Sequence, residues 1–156
     1  MITELIEECM NMGCHVRHYM TKHVNTVNDA TSVTEATKII AQDTCYDGYV
    51  VVLHNGQPVG MVSERDIIQQ VVALDRDPLT TPISDIMSSP LLMIDPDDDL
   101  VTAAHTMRKH DVRKLIVAKE NIIQGIITSK DISNQFQDYV NQSVRDMLRW
   151  SSSVSC

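Results

Sequence analysis

The chain has 156 residues, a formal net charge of −8, 43% hydrophobic residues and 22% charged ones. That length allows a compact domain with a sizeable core, the composition excludes wholesale disorder, and the negative charge argues against non-specific binding to nucleic acid or an anionic membrane. One Phe, one Trp and four Tyr leave little material for base-stacking platforms.

The four cysteines, Cys9, Cys14, Cys45 and Cys156, follow no disulfide-scaffold or zinc-ribbon spacing. No apolar run approaches the ~18 residues of a membrane span, and no charged-then-apolar leader opens the chain. A cytoplasmic protein is therefore expected, with no membrane partner.

Residues 1–15 read as an added amphipathic helix, with Ile2, Leu5, Ile6, Cys9 and Met10 on one face and Gly13 as the stop. Cys9, Cys14, His15, His18 and His23 crowd this region, but their spacing matches no common zinc pattern, so no metal is assigned. A short extended segment, residues 25–27, comes next. Ser32-Val-Thr-Glu35 then reads as a capping box opening a helix whose apolar face is Val33, Ala36, Ile39 and Ile40. Residues 49–54 and 58–62 form two strands around Asn55-Gly56, the strongest short hairpin signal. A helix follows from Glu64 to about Leu74, and residues 75–82 form a linker.

The chain then repeats itself. Gly125-Ile-Ile-Thr-Ser-Lys-Asp131-Ile matches Gly60-Met-Val-Ser-Glu-Arg-Asp66-Ile at an offset of 65. Further upstream the offset is 67, which overlays Ile83-Ser-Asp-Ile-Met87 on Val16-Arg-His-Tyr-Met20 and Asp99 on Ser32. The second copy supplies an extended segment at 92–94 and a helix begun by Asp97, Asp98 and Asp99. Its strands are 114–118 and 122–127 around Glu120-Asn121, and a closing helix runs from about Ser129 towards Leu148. The three acids stabilise the positive end of a helix dipole rather than marking a metal site. The order strand-helix-strand-strand-helix, twice, defines an α/β (α+β) fold with repeats at 16–74 and 83–140 and a tail at 141–156.

Two such units, each ending in Gly-apolar-apolar-Ser/Thr-x-x-Asp-Ile, resemble a tandem pair of CBS domains, named for cystathionine β-synthase. Ile83-x-Asp-x-Met87 resembles the family's opening motif; Val16-x-x-x-Met20 lacks the Asp. The resemblance implies a pseudo-twofold module that binds adenosine-containing ligands in two clefts, commonly as a homodimer, and that regulates another protein. It implies Asp for the ribose hydroxyls, Ser or Thr for ribose or phosphate, and the partner repeat's opening strand around the adenine. The preferred site is Thr128, Asp131, Arg113 and Ile126, completed by Thr26 and Tyr46. The other is Ser63, Asp66, Arg65, Met61 and Met93.

The chemistry agrees with that assignment. A carboxylate accepts from both hydroxyls of a ribose diol, and Met61-Val62 and Ile126-Ile127 offer apolar surface to a flat base. Arg113 precedes the second hairpin, while the aligned residue of the first copy is Gly48. The blander reading makes Ser63/Asp66 and Thr128/Asp131 ordinary helix caps, and the two roles are compatible. The expected ligand is AMP, ADP or ATP, with S-adenosylmethionine or NADH less favoured. No Ser-His-Asp arrangement, Walker loop or paired-carboxylate geometry suggests an enzyme. The alternative is a structural dimerisation or docking module with no nucleotide.

Overall fold

The structure is a computed structural model that describes residues 7, 13–43, 48–137, 141 and 145. Apart from residues 7, 141 and 145, the expected N-terminal helix up to residue 12 and the far end of the closing helix lie outside the described residues, as do Tyr46, Cys9, Cys45 and Cys156.

Strand β1 (Thr26–Asn28) leads into helix α1 (Val33–Gln42), then β2 (Tyr49–His54) and β3 (Gln57–Ser63). Helix α2 (Glu64–Ile67) follows, and its turn widens into a π-helical stretch, Ile68–Val72, where Ala73 N–H reaches back to Ile68 O. The second copy repeats this with β4 (Met93–Ile94), α3 (Leu100–His110), β5 (Lys114–Lys119) and β6 (Ile122–Thr128). Residues 129–137, the described part of the closing helix, are α4. The result is a mixed α+β fold with two three-stranded sheets, ordered β1-β2-β3 and β4-β5-β6.

In the first sheet β1 runs parallel to β2, as the intervening helix permits, and β2 is antiparallel to β3. Asn55 and Gly56 both take positive φ, 50° and 78°, which gives the hairpin the twist its strands require. Glu120 and Asn121 do the same at 52° and 63°.

Helix starts are set by side chains. Ser32 Oγ accepts from Glu35 N–H at 3.2 Å, and Asp99 Oδ1 accepts from Thr102 N–H at 2.6 Å. Ser32-x-x-Glu35 is therefore only half of the capping box its sequence predicts, because no return bond from the Glu35 carboxylate is formed. The other acids before α3 are committed locally. Asp95 accepts from Asp97 N–H, Asp98 accepts from Asp95 N–H, and Asp97 pairs with Arg17.

The chain divides into two compact units, and these do not follow the two sequence copies. One takes the chain up to Met20 with Ile94–Val117 and from Ile126 onward; the other takes Thr21–Met93 with Ala118–Gly125. The reason is an exchange of opening segments. Ile83 N–H donates to Thr31 O at 2.7 Å, Ser84 N–H to Asp29 O at 3.2 Å, and Val33 N–H to Thr81 O at 2.9 Å. The same bonds recur with the copies exchanged at the offset of 67: Val16 N–H to Asp98 O at 2.8 Å, Arg17 N–H to Pro96 O at 3.0 Å, and Leu100 N–H to Cys14 O at 3.1 Å. Each opening turn, Val16–His18 or Ile83–Asp85, thus docks against the strand-to-helix corner of the other copy.

Apolar burial fixes both units. In one, Val27, Val33, Ala36, Ile40, Val50, Val52, Val62 and Val71 enclose Ile83 and Ile86 from the exchanged segment. Each large side chain so buried contributes about 2 kcal/mol. In the other, Val16 is fully buried, as are Leu100, Leu115, Ile116, Ile126 and Ile127. Cys14 is disulfide-bonded, a pairing that the cysteine spacing did not suggest, and its partner lies outside the described residues. No helix among the described residues is long and apolar enough to cross a membrane.

Candidate functional site

The two motif copies are geometrically equivalent. Strand β3 delivers Ser63 in an extended conformation, which is the conformation an N-cap needs, and the chain then turns into α2. Ser63 N–H and Ser63 Oγ donate to Asp66 Oδ2 at 2.8 and 2.7 Å, and Asp66 N–H returns to Ser63 Oγ at 3.3 Å. At the end of β6, Thr128 N–H and Oγ1 donate to Asp131 Oδ2, both at 2.8 Å, and Asp131 N–H returns to Thr128 Oγ1 at 3.2 Å. The bland reading is thus fully realised, since each motif is a reciprocal capping box.

Capping does not exhaust the carboxylates. Both bonds to each Asp end on Oδ2, so Oδ1 of Asp66 and of Asp131 accepts from no group among the described residues. All four motif side chains are half-buried, within reach of a ligand yet partly screened from water. An ionised carboxylate with one oxygen anchored and one free is a preset acceptor for a vicinal diol.

The residue before each hairpin borders the box. Glu64 N–H donates to Gly48 O at 2.9 Å, and Ser129 N–H donates to Arg113 O at 2.9 Å. Arg113 is therefore held beside the Thr128/Asp131 motif by its own backbone, and its side chain is exposed. Ile126, two residues before Thr128 on β6, is fully buried. Thr26 belongs to the other unit, on β1, and Tyr46 lies outside the described residues.

Of the residues expected with the first motif, Arg65 is exposed and Met61 half-buried, and Met93 is 41% exposed at the start of β4. The backbone of Met61 is committed. Its N–H donates to Ser88 O at 3.1 Å and its carbonyl accepts from Ser88 N–H at 2.9 Å. This bridge explains Gly60, where a Cβ would lie 2.7 Å from Met87 Sδ and 2.9 Å from Ser88 O. Sequence reasoning missed the bridge, because no local pattern links residues 27 positions apart.

It also missed an open groove of about 600 Å³ on the same unit, lined by Thr26, Asn28, Thr31, Glu35, Lys38 and Leu53 among others. Neither Ser63 nor Asp66 lines it. Among the described residues no three His, Cys, Asp or Glu side chains gather as metal ligands.

Comparison with known proteins places the chain. The family model for the CBS domain matches residues 16–73 and 83–138. The CBS domain-containing protein YhcV of Bacillus subtilis is 31% identical over 76% of this chain and 82% of its own length. An inosine-5′-monophosphate dehydrogenase of Nitrosopumilus maritimus is 38% identical over 66% of this chain but only 20% of the enzyme. The chain spans between 20% and 51% of several longer curated relatives that it matches. Among solved structures, the CBS domain pair of protein MJ0100, in complex with 5′-methylthioadenosine and S-adenosyl-L-methionine, superposes with a TM-score of 0.70. That superposition has 24% identity over 80% of this chain and 97% of the other, and it shows the shared fold. With two matched domains and the duplicated Gly-x-x-Ser/Thr-x-x-Asp boxes, the chain belongs to the CBS-domain family.

Proposed function

We propose that this chain is a regulatory module that binds an adenine nucleotide or a related adenosyl ligand and signals its occupancy to another protein. The CBS pair is a regulatory ligand-binding module, and the reading for this chain rests on one observation above the others. Both copies hold an Asp carboxylate by Oδ2 alone, which leaves Oδ1 open for a ribose diol. Arg113, tied to the Thr128/Asp131 box through its carbonyl, adds a cation for phosphate there. That copy is the preferred site. A regulatory output travels by the ligand's differential affinity for two conformations. The partner is a second copy or the regulated protein, and Ile68, Val72, Leu74 and Leu79, each 60–69% exposed, supply apolar surface for it.

The test is thermal shift and calorimetry on the full chain with AMP, ATP and S-adenosylmethionine. A ligand present at 100 times its Kd stabilises a folded protein by about 2.7 kcal/mol, a readily measured shift. Asp131→Ala is expected to weaken the tightest ligand by tenfold or more while circular dichroism shows the protein folded. Unchanged affinity would reject the site. Folded protein that binds none of the three would favour the docking-module reading instead.

A further inference from the structure

The two boxes share a pattern of hydrogen bonds and differ in charge. In each copy one hydrogen bond joins the residue before the hairpin to the residue after the Ser or Thr: Gly48 with Glu64, and Arg113 with Ser129. Positions 48 and 113 thus stand in the same place relative to their boxes. Gly48 has no side chain and takes a φ of +62°. The space above it is filled by Glu64, since a Cβ placed on Gly48 would lie 3.1 Å from Glu64 Cδ and 3.3 Å from Oε2. The second copy reverses the pair, with the large side chain on residue 113 and a small hydroxyl on residue 129.

The exchange inverts the local charge. Glu64 holds a carboxylate over Gly48 at the edge of the Ser63/Asp66 box, and the residue at the equivalent edge of the Thr128/Asp131 box, Arg113, carries a guanidinium. Both side chains are exposed, and neither is paired with an opposite charge among the described residues. The next residue is basic in both copies, Arg65 and Lys130, so it contributes equally and does not offset the difference.

On the reading that each Asp holds a ribose diol, we infer that the two copies select adenosyl ligands of opposite charge at the 5′ position. The Thr128/Asp131 copy takes a 5′-phosphate. The Ser63/Asp66 copy rejects phosphate and takes a 5′ group that is neutral or cationic, such as a thioether or a sulfonium. A furanose ring separates its diol from its 5′ substituent by only a few bonds, so a charge bordering the carboxylate acts on that substituent. Like-charge opposition at a binding site is an effective device for excluding a competing ligand. Glu64 and Arg113 are specificity residues in this scheme, while the diol contact is common to both copies. One chain would then read two members of a ligand class at once.

The experiment is calorimetric titration of the full chain with AMP and, separately, with uncharged 5′-methylthioadenosine, at low and at physiological salt. In the unaltered protein one equivalent of AMP binds at least tenfold more tightly than a second. Glu64→Gln, an isosteric change at an exposed position, raises the weaker AMP affinity about tenfold and leaves 5′-methylthioadenosine unchanged. Arg113→Gln lowers the tighter AMP affinity about tenfold and also leaves 5′-methylthioadenosine unchanged. Tenfold corresponds to about 1.4 kcal/mol, a reasonable size for one charge near the surface. Both effects shrink as salt rises, because exposed charges are screened.

If both ligands bind but neither substitution alters AMP affinity, the charge assignment is overturned and the function stands. Parallel changes for AMP and 5′-methylthioadenosine overturn it as well, since they report a structural effect. If neither ligand binds the folded protein, the proposed function falls and this inference falls with it.

Discussion

Gly60→Ala tests whether the glycine of the first box is a packing requirement. Gly60 does not adopt a left-handed φ, so an alanine suffers no backbone strain there. With room for a methyl group, the substitution would stabilise the fold by about 0.4–1 kcal/mol through the entropy of the unfolded chain. The surroundings oppose this. The new Cβ would sit 2.7 Å from Met87 Sδ, 3.0 Å from Met87 Cγ and 2.9 Å from Ser88 O. Met87 is a flexible side chain and yields, whereas Ser88 O is fixed by the Met61 N–H and belongs to a two-bond bridge. Overpacking costs about 1–3 kcal/mol, and losing one bridge bond adds about 1 kcal/mol. Set against the entropic gain, the net is about 2 kcal/mol of destabilisation. For a protein of this size that lowers Tm by about 4–8 °C.

Differential scanning calorimetry measures the shift, and a companion variant isolates its cause. Gly60→Ala with Met87→Ala relieves the sulfur contact but leaves Ser88 O in place, so it recovers little when compared with Met87→Ala alone. A neutral or stabilising Gly60→Ala would refute the reasoning, because it would mean that residues 87 and 88 are free to move away from β3.

Two further substitutions separate local terms. Gly56→Ala meets no atom within 4 Å but must take a φ near +78°, so it should cost about 1 kcal/mol from the backbone alone, read as a lower urea midpoint with unchanged slope. Asp99→Ala removes the acceptor for Thr102 N–H at the start of α3 and should cost about 1 kcal/mol, while Asp99→Ser should restore most of it.

The elements legible in the sequence are those specified by neighbouring residues. Asn55-Gly56 fixes one hairpin, because its backbone requirement is met within two residues. Ser32 and Asp99 cap their helices for the same reason. Even a local rule can be met only in part. Ser32-x-x-Glu35 makes one bond of its box, whereas Ser63-x-x-Asp66 completes both by bringing Oδ2 to the N–H and the Oγ of Ser63. What escaped the sequence was non-local. The docking of Ile83 against Thr31, and of Met61 against Ser88, depends on which segment reaches which corner, and no short pattern encodes that choice.

Duplication nevertheless supplies a way to separate fold from function. Where both copies keep a bond, the residues making it vary freely if only main-chain atoms are involved: Ile83 to Thr31 answers Val16 to Asp98 with no side chain in common. In the Ser63/Asp66 and Thr128/Asp131 boxes the side chains that make the bonds keep their chemistry and only a methyl group differs, whereas the helix caps Ser32 and Asp99 exchange a hydroxyl for a carboxylate. The pair formed by positions 48 and 64, repeated as 113 and 129, fits neither pattern. Its main-chain bond is 2.9 Å long in both copies, and although the left-handed φ of Gly48 asks for glycine there, that bond asks nothing of the side chains at 64, 113 and 129, yet a carboxylate in one copy stands against a guanidinium in the other. A difference in charge that this main-chain bond does not require, carried by residues bonded to the edge of each box, is what the proposed selection between ligands asks of the two copies.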